Sequence, residues 1–199
     1  MSDVPRNRPE VLHAPWRMSY MDLLGREAKA EESPATGAGR PIRAGTFLRE
    51  AWLDPSQDAE RLVVVRTGRE DMRDADGRVR GGLIMLNRYP YANGHLLVCL
   101  GDARMRLLDY TERQRAELWS LVDLAVELCE RTLEPQGVNI GINQGRAAGA
   151  GVPEHLHVHV VPRWGGDVNF ITACGQIRVL PCALEDMLRR YREEWGRMG

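Results

Sequence analysis

Apolar residues along this chain gather in short runs separated by clusters of turn-forming residues. Residues 62–65 (LVVV), 82–86 (GLIML) and 95–100 (HLLVCL) predict three strands. Asp76-Gly77 is a hairpin signal between the first two, and residues 87–94 (NRYPYANG) read as a turn before the third. From 111 to 133 the pattern changes to a helical period. Leu118, Leu121, Val122, Ala125, Leu128, Cys129 and Thr132 repeat at i, i+3, i+4 and i+7. Thr111 and Gln114 form a capping box at its start, and Pro135 and Gly137 lie just past its end. Residues 138–143 alternate apolar and polar, which predicts a half-buried strand. A glycine-rich loop follows at 145–151, then a strand at 155–161 ended by Pro162. The stretch 184–195 is amphipathic and predicts a second helix. The order βββαββα implies an α+β fold, a five-stranded antiparallel sheet with two main helices on one face.

Residues 1–27 are mixed, with an aromatic cluster at Pro15, Trp16 and Tyr20, and residues 28–45 read as a loop or linker. The expected organisation is an N-terminal extension and linker over 1–60 and a folded domain over 61–199. With 43% apolar and 28% charged residues and a formal charge of −1, the 199-residue chain has the balance of a soluble globular protein. That charge argues against a nucleic-acid-binding surface. No apolar run approaches a membrane span, and the first ten residues lack a signal-peptide core. Cys99, Cys129, Cys174 and Cys182 form no C-x-x-C pair, and reduced thiols in a cytoplasmic protein are expected.

The informative run is His155-Leu156-His157-Val158-His159-Val160-Val161. Side chains alternate across a strand, so the three imidazoles share one face about 6.5–7 Å apart, while Leu156, Val158 and Val160 face the core. Three readings compete. The histidines cover a polar sheet face; or they ligate zinc, with His95 as third ligand; or one is a nucleophile at phosphorus. Imidazole suits the last role, being largely neutral near pH 7.5 and forming a phosphoramidate that a second nucleophile displaces. A neighbouring imidazole can hydrogen-bond the phosphate or leaving oxygen. The glycines immediately upstream allow backbone amides to approach phosphate oxygens.

The run matches the pattern H-φ-H-φ-H-φ-φ and resembles the histidine triad (HIT) family signature. The similarity extends over roughly residues 60–195, including Asn87 to His95, and residues 138–170 resemble the bacterial branch that contains diadenosine tetraphosphate phosphorylases. Residues 13–21 (HAPWRMSYM) also resemble that branch, with His13 where a Trp is usual. The resemblance implies a HIT-like fold, usually dimeric through a shared continuous sheet. It implies a nucleotidyl transfer in which His157 is the nucleophile, His159 bonds the phosphate or leaving oxygen, and His155 and His95 shape the pocket. It further assigns Asn87, Asn143, Gln144 and the loop Gly149, Ala150, Gly151, Val152 and Pro153 to substrate binding, with His159.

Many family members carry a zinc site, and here Thr46, Arg49 and Ala103 stand at three ligand positions, so no metal and no other cofactor is expected. Gly151 stands where the hydrolases of the fragile branch have Gln, which favours phosphorolysis. The expected partners are a nucleotide substrate and phosphate, with Arg146 and Arg163 near the loop, and a second copy of the chain in a homodimer or tetramer. The competing functions are dinucleoside polyphosphate hydrolysis, nucleoside phosphoramidase activity, and non-catalytic adenine-nucleotide binding.

Overall fold

The computed structural model describes residues 46–167 and 181–199. The segments around His13 and Trp16, the linker at 28–45, and Cys174 lie outside the described residues. The α-helices and strands of the described residues are, in chain order, helix α1 (Phe47–Leu53), strands β1 (Val63–Thr67), β2 (Gly82–Leu86) and β3 (Leu96–Leu100), helix α2 (Glu112–Leu133), strands β4 (Gly137–Ile142) and β5 (Val158–Arg163), and helix α3 (Leu184–Met198). The strands form one antiparallel sheet in the order β1-β2-β3-β5-β4. The fold class read from the sequence is therefore the one observed.

The capping box on α2 forms as its sequence requires. The Thr111 hydroxyl accepts from Gln114 N, and the Gln114 side chain accepts from Thr111 N. The apolar stripe of α2 and the buried side of α3, with Met187, Leu188 and Tyr191, cover one face of the sheet. Ile84, Leu86, Leu96, Val98, Leu100, Leu156, Val158 and Val160 supply the sheet's side of that core.

The sequence pattern predicts no element over residues 46–57. There the chain folds into α1 and a 3₁₀ turn, and α1 sets Leu48, Ala51 and Trp52 on the opposite sheet face against Val63, Leu83, Met85, Leu97 and Cys99. The sheet is thus covered on both sides through β1, β2 and β3, which explains why every residue of β2 and β3 is buried.

Two boundaries differ from expectation. Strand β5 begins at Val158 rather than 155, because its pairing with β3 starts only at Val98–Val158. It also continues through Pro162, which pairs with Val138 of β4. Pairing to β3 ends at Leu96–Val160, so Pro162 holds an edge position on that side, where its missing N–H breaks no ladder bond. Strand β4 is mostly exposed because it is the outer strand of the sheet.

Candidate active site

The segment from His155 into β5 carries the three histidines on the sheet face that α1 partly covers. The register places His159 opposite Leu97, Leu97 opposite Met85, and Met85 opposite Val63, one row across four strands. His155, His157 and His95 are buried and His159 is partly exposed.

Hydrogen bonds fix the tautomers. Nδ1 of His157 lies 2.8 Å from the carbonyl oxygen of His155. A carbonyl only accepts, so Nδ1 carries the proton and Nε2 keeps its lone pair. Nε2 of His155 is 2.8 Å from Leu100 O and donates to it, leaving Nδ1 to accept from the Thr46 hydroxyl at 3.4 Å. In His95, Nδ1 accepts the Tyr91 N–H at 3.1 Å and faces Asn87 Nδ2 at 3.3 Å. The His95 proton therefore sits on Nε2 and is donated to Nδ1 of His159 at 3.0 Å. His159 in turn carries its proton on Nε2.

A lone pair on one imidazole and an N–H on its neighbour now stand side by side, with ring centroids 5.0 Å apart in an edge-on arrangement. Burial depresses the basicity of all three triad histidines, to about 4 for His155 and for His159, where the neighbouring His157 adds to the effect. They are neutral at physiological pH, as a nitrogen nucleophile must be.

A cleft of about 640 Å³ opens over His157 and His159. Of the residues that sequence reasoning assigned to substrate, Asn87, Gly149, Gly151, Val152 and His159 line it. Asn87 is engaged at both ends of its amide, accepting from Tyr89 N at 2.9 Å and facing His95, so it opens the turn and positions His95 as well. Positive φ angles at Gly145 (85°) and Gly149 (87°) fold the loop back so that Ala148 N and Ala150 N both bond Gly145 O. Ala150 and Pro153 belong to this loop without lining the cleft. Asn143 lies beside it, its amide nitrogen 3.9 Å from where a Cβ on Gly149 would stand. The Gln144 side-chain oxygen instead accepts from Leu107 N at 2.9 Å. Arg163 is held bidentately by Asp167 and bonds Asn139, while Arg146 pairs with Glu154 at 3.6 Å.

Sequence reasoning missed the polar and aromatic wall residues Phe47, Arg61, Arg88, Tyr89 and Tyr91, and the apolar ones Leu62, Met85, Leu86 and Leu97. Phe47 and Leu62 come from the segment read as linker and the first residues after it. The signal available there was Thr46 ahead of the amphipathic stretch FLREAWL, an N-cap before a short helix.

The positions that would bear zinc ligands have different chemistry. Thr46 bonds His155, while the Arg49 guanidinium binds Gly101 O at 2.6 Å and Glu70 bidentately at 2.9 Å. Ala103 is buried and offers no donor. A hydroxyl, a fixed cation and a methyl group do not fit a zinc ion, and among the described residues no group of three His, Cys, Asp or Glu could hold a metal. Likewise, no described helix is long and apolar enough to cross a membrane.

Comparison with known proteins gives concordant matches. The HIT domain family model matches residues 79–166. AP-4-A phosphorylase of Mycobacterium tuberculosis (strain ATCC 25618 / H37Rv) is 37% identical over 96% of this chain and 87% of its own length. The asymmetrical bis(5'-nucleosyl)-tetraphosphatase of Schizosaccharomyces pombe is 34% identical over 46% of this chain and 50% of its own. The crystal structure of a hypothetical histidine triad nucleotide-binding protein from Sulfolobus tokodaii superposes with a TM-score of 0.52 at 26% identity, covering 71% of this chain and 91% of the other.

Proposed function

Given that the chain belongs to the histidine triad family, we propose that it cleaves diadenosine polyphosphates by nucleotidyl transfer through His157, with inorganic phosphate as acceptor. The observation that carries the mechanism is the bond from His157 Nδ1 to the His155 carbonyl, which leaves Nε2 unprotonated over the cleft. Nε2 attacks the α-phosphorus, the bond to the bridging oxygen breaks, and the departing polyphosphate takes that electron pair. His159 Nε2–H hydrogen-bonds the departing oxygen as charge develops on it. The nucleotidyl-imidazole carries a positive charge, its Nδ1–H still donating to the His155 carbonyl. A phosphate oxygen then attacks the same phosphorus and releases His157. Diadenosine tetraphosphate and phosphate thereby yield ATP and ADP.

Phosphate rather than water is favoured by the likeness over nearly the whole chain to AP-4-A phosphorylase, and by the glycine loop at the cleft. Hydrolysis is the second reading, supported by the partial likeness to a tetraphosphatase. The functional unit in this reading is the HIT domain at 61–199 with its extension at 1–60, whose helix α1 roofs part of the sheet. Unpaired Cys99, Cys129 and Cys182 support a cytoplasmic enzyme. The open strand β4 supports assembly into a homodimer or tetramer.

The test is product analysis with diadenosine tetraphosphate. ADP and ATP formed only with phosphate support phosphorolysis, while AMP and ATP at a phosphate-independent rate identify a hydrolase. His157→Ala should lower turnover by at least about a thousandfold and abolish the trapped protein–nucleotide adduct. Near-normal turnover in that variant overturns the mechanism.

A further inference from the structure

Among the described residues, four aromatic side chains are exposed: Phe47, Tyr89, Tyr91 and Trp119. Three of them line the histidine cleft. Exposed rings gathered at one cleft point to a ligand with flat faces to stack on.

They occupy two stations. Phe47 follows Thr46, whose hydroxyl touches His155, and it shares the cleft's apolar wall with Leu62 and Met85. Tyr91 lies at the other end of the triad, its ring 4.9 Å from His95 and 5.8 Å from His159. Tyr89 is two residues away and 81% exposed, the most exposed of the large apolar side chains described. Both tyrosines ride on a fixed backbone. Tyr89 N is held by Asn87 Oδ1 and Tyr91 N by His95 Nδ1, with Pro90 between them. Presenting a ring on an anchored loop lowers the ordering cost of stacking on it. The tyrosine station thus lies beside His159, the imidazole assigned to the departing oxygen. Arg88, next to Tyr89, lines the same cleft and is anchored to Glu60 O at 2.7 Å, a cation placed for a polyphosphate chain.

We propose that Tyr89 is a specificity-determining residue, the stacking platform for the distal nucleobase of the substrate, the base that departs with the polyphosphate. This rests on the dinucleotide reading above and deepens it: the cleft holds one nucleoside at its apolar wall and the second on the Tyr89 rim, which distinguishes dinucleoside from mononucleoside substrates. The experiment compares diadenosine tetraphosphate with the p-nitrophenyl ester of AMP, which has the same scissile phosphorus and no distal base.

In Tyr89→Ala the ratio of kcat/KM for the dinucleotide to that for the ester should fall about tenfold, carried by KM, the size expected for one lost base stack. Tyr89→Phe should keep the ratio. An unchanged ratio in Tyr89→Ala, or an equal loss in Tyr89→Phe, overturns the proposal while the proposed function stands. If wild-type enzyme cleaves the ester but not diadenosine tetraphosphate, the proposed function itself falls, and the platform with it.

Discussion

Every imidazole of the site has a ring nitrogen engaged by a backbone group or by another histidine. Burial lowers the basicity of His155, His157 and His159, which gives the fold a pH signature that can be measured. A histidine depressed from 6.5 to about 4 leaves the folded protein unprotonated while the unfolded chain takes up a proton. The contribution of such a histidine is therefore full above about pH 6.5, falls as pH drops from there to about 4, and levels off below. For His155 the difference between 6.5 and about 4 corresponds to roughly 3 kcal/mol. Urea unfolding at pH 7 and at pH 4.5 should show a loss of that order. Nitrogen chemical shifts of His155 should stay those of a neutral ring at pH 5. A ring that protonates near 6.5 in the folded protein contradicts the assignment.

Helix α1 is the element that ties the site to the rest of the sheet. Arg49 reaches Gly101 and Glu70, and the Trp52 indole N–H donates to the same Glu70 carboxylate at 2.9 Å. Trp52 lies so close to Gly101 that a Cβ there would stand 2.3 Å from its ring. Gly101→Ala should displace Trp52 and destabilise the fold by about 1–3 kcal/mol, read as a shift in the urea midpoint. An unchanged midpoint would show that α1 is not held there. This helix is also where the sequence was least legible. A seven-residue helix offers two turns of periodicity, and its neighbours, rich in Gly, Pro and charge, mask it. By contrast the long helix α2 announced itself through its capping box and its long apolar stripe. The triad was legible because a rare, titratable residue type repeated at every second position of a strand is costly to bury unless its chemistry is used. What stayed hidden was what touches the histidines from elsewhere in the chain. Thr46, Tyr91 and Leu100 engage them through a hydroxyl, a backbone N–H and a carbonyl, groups whose partners no local pattern specifies. Gln144 is the converse case: the resemblance assigns it to substrate binding, and its side-chain oxygen accepts from the Leu107 backbone.

At the scale of the molecule the two sheet edges are unequal. Edge strand β1 is flanked by α1 on one face and bonded by Arg192 of α3, which donates to Val63 O. Among the described residues edge strand β4 is mostly exposed, with Ile140 exposed and open space over Gly137 and Gly141. An uncovered edge invites pairing with a second copy of itself, a two-fold arrangement. Sedimentation should give a dimer or a tetramer, and Ile140→Arg should shift the distribution toward monomer. A wild-type enzyme that is active as a monomer contradicts this assembly. A different consequence follows from where the parts of the site lie along the chain. The Thr46–His155 contact spans 109 residues and the His95–His159 bond spans 64. No local segment holds a working fraction of the site, so closing those loops is an entropic cost met only when the whole sheet has formed. Folding and the gain of activity are then one event, and a chain still emerging from synthesis is inert until β5 has docked between β3 and β4.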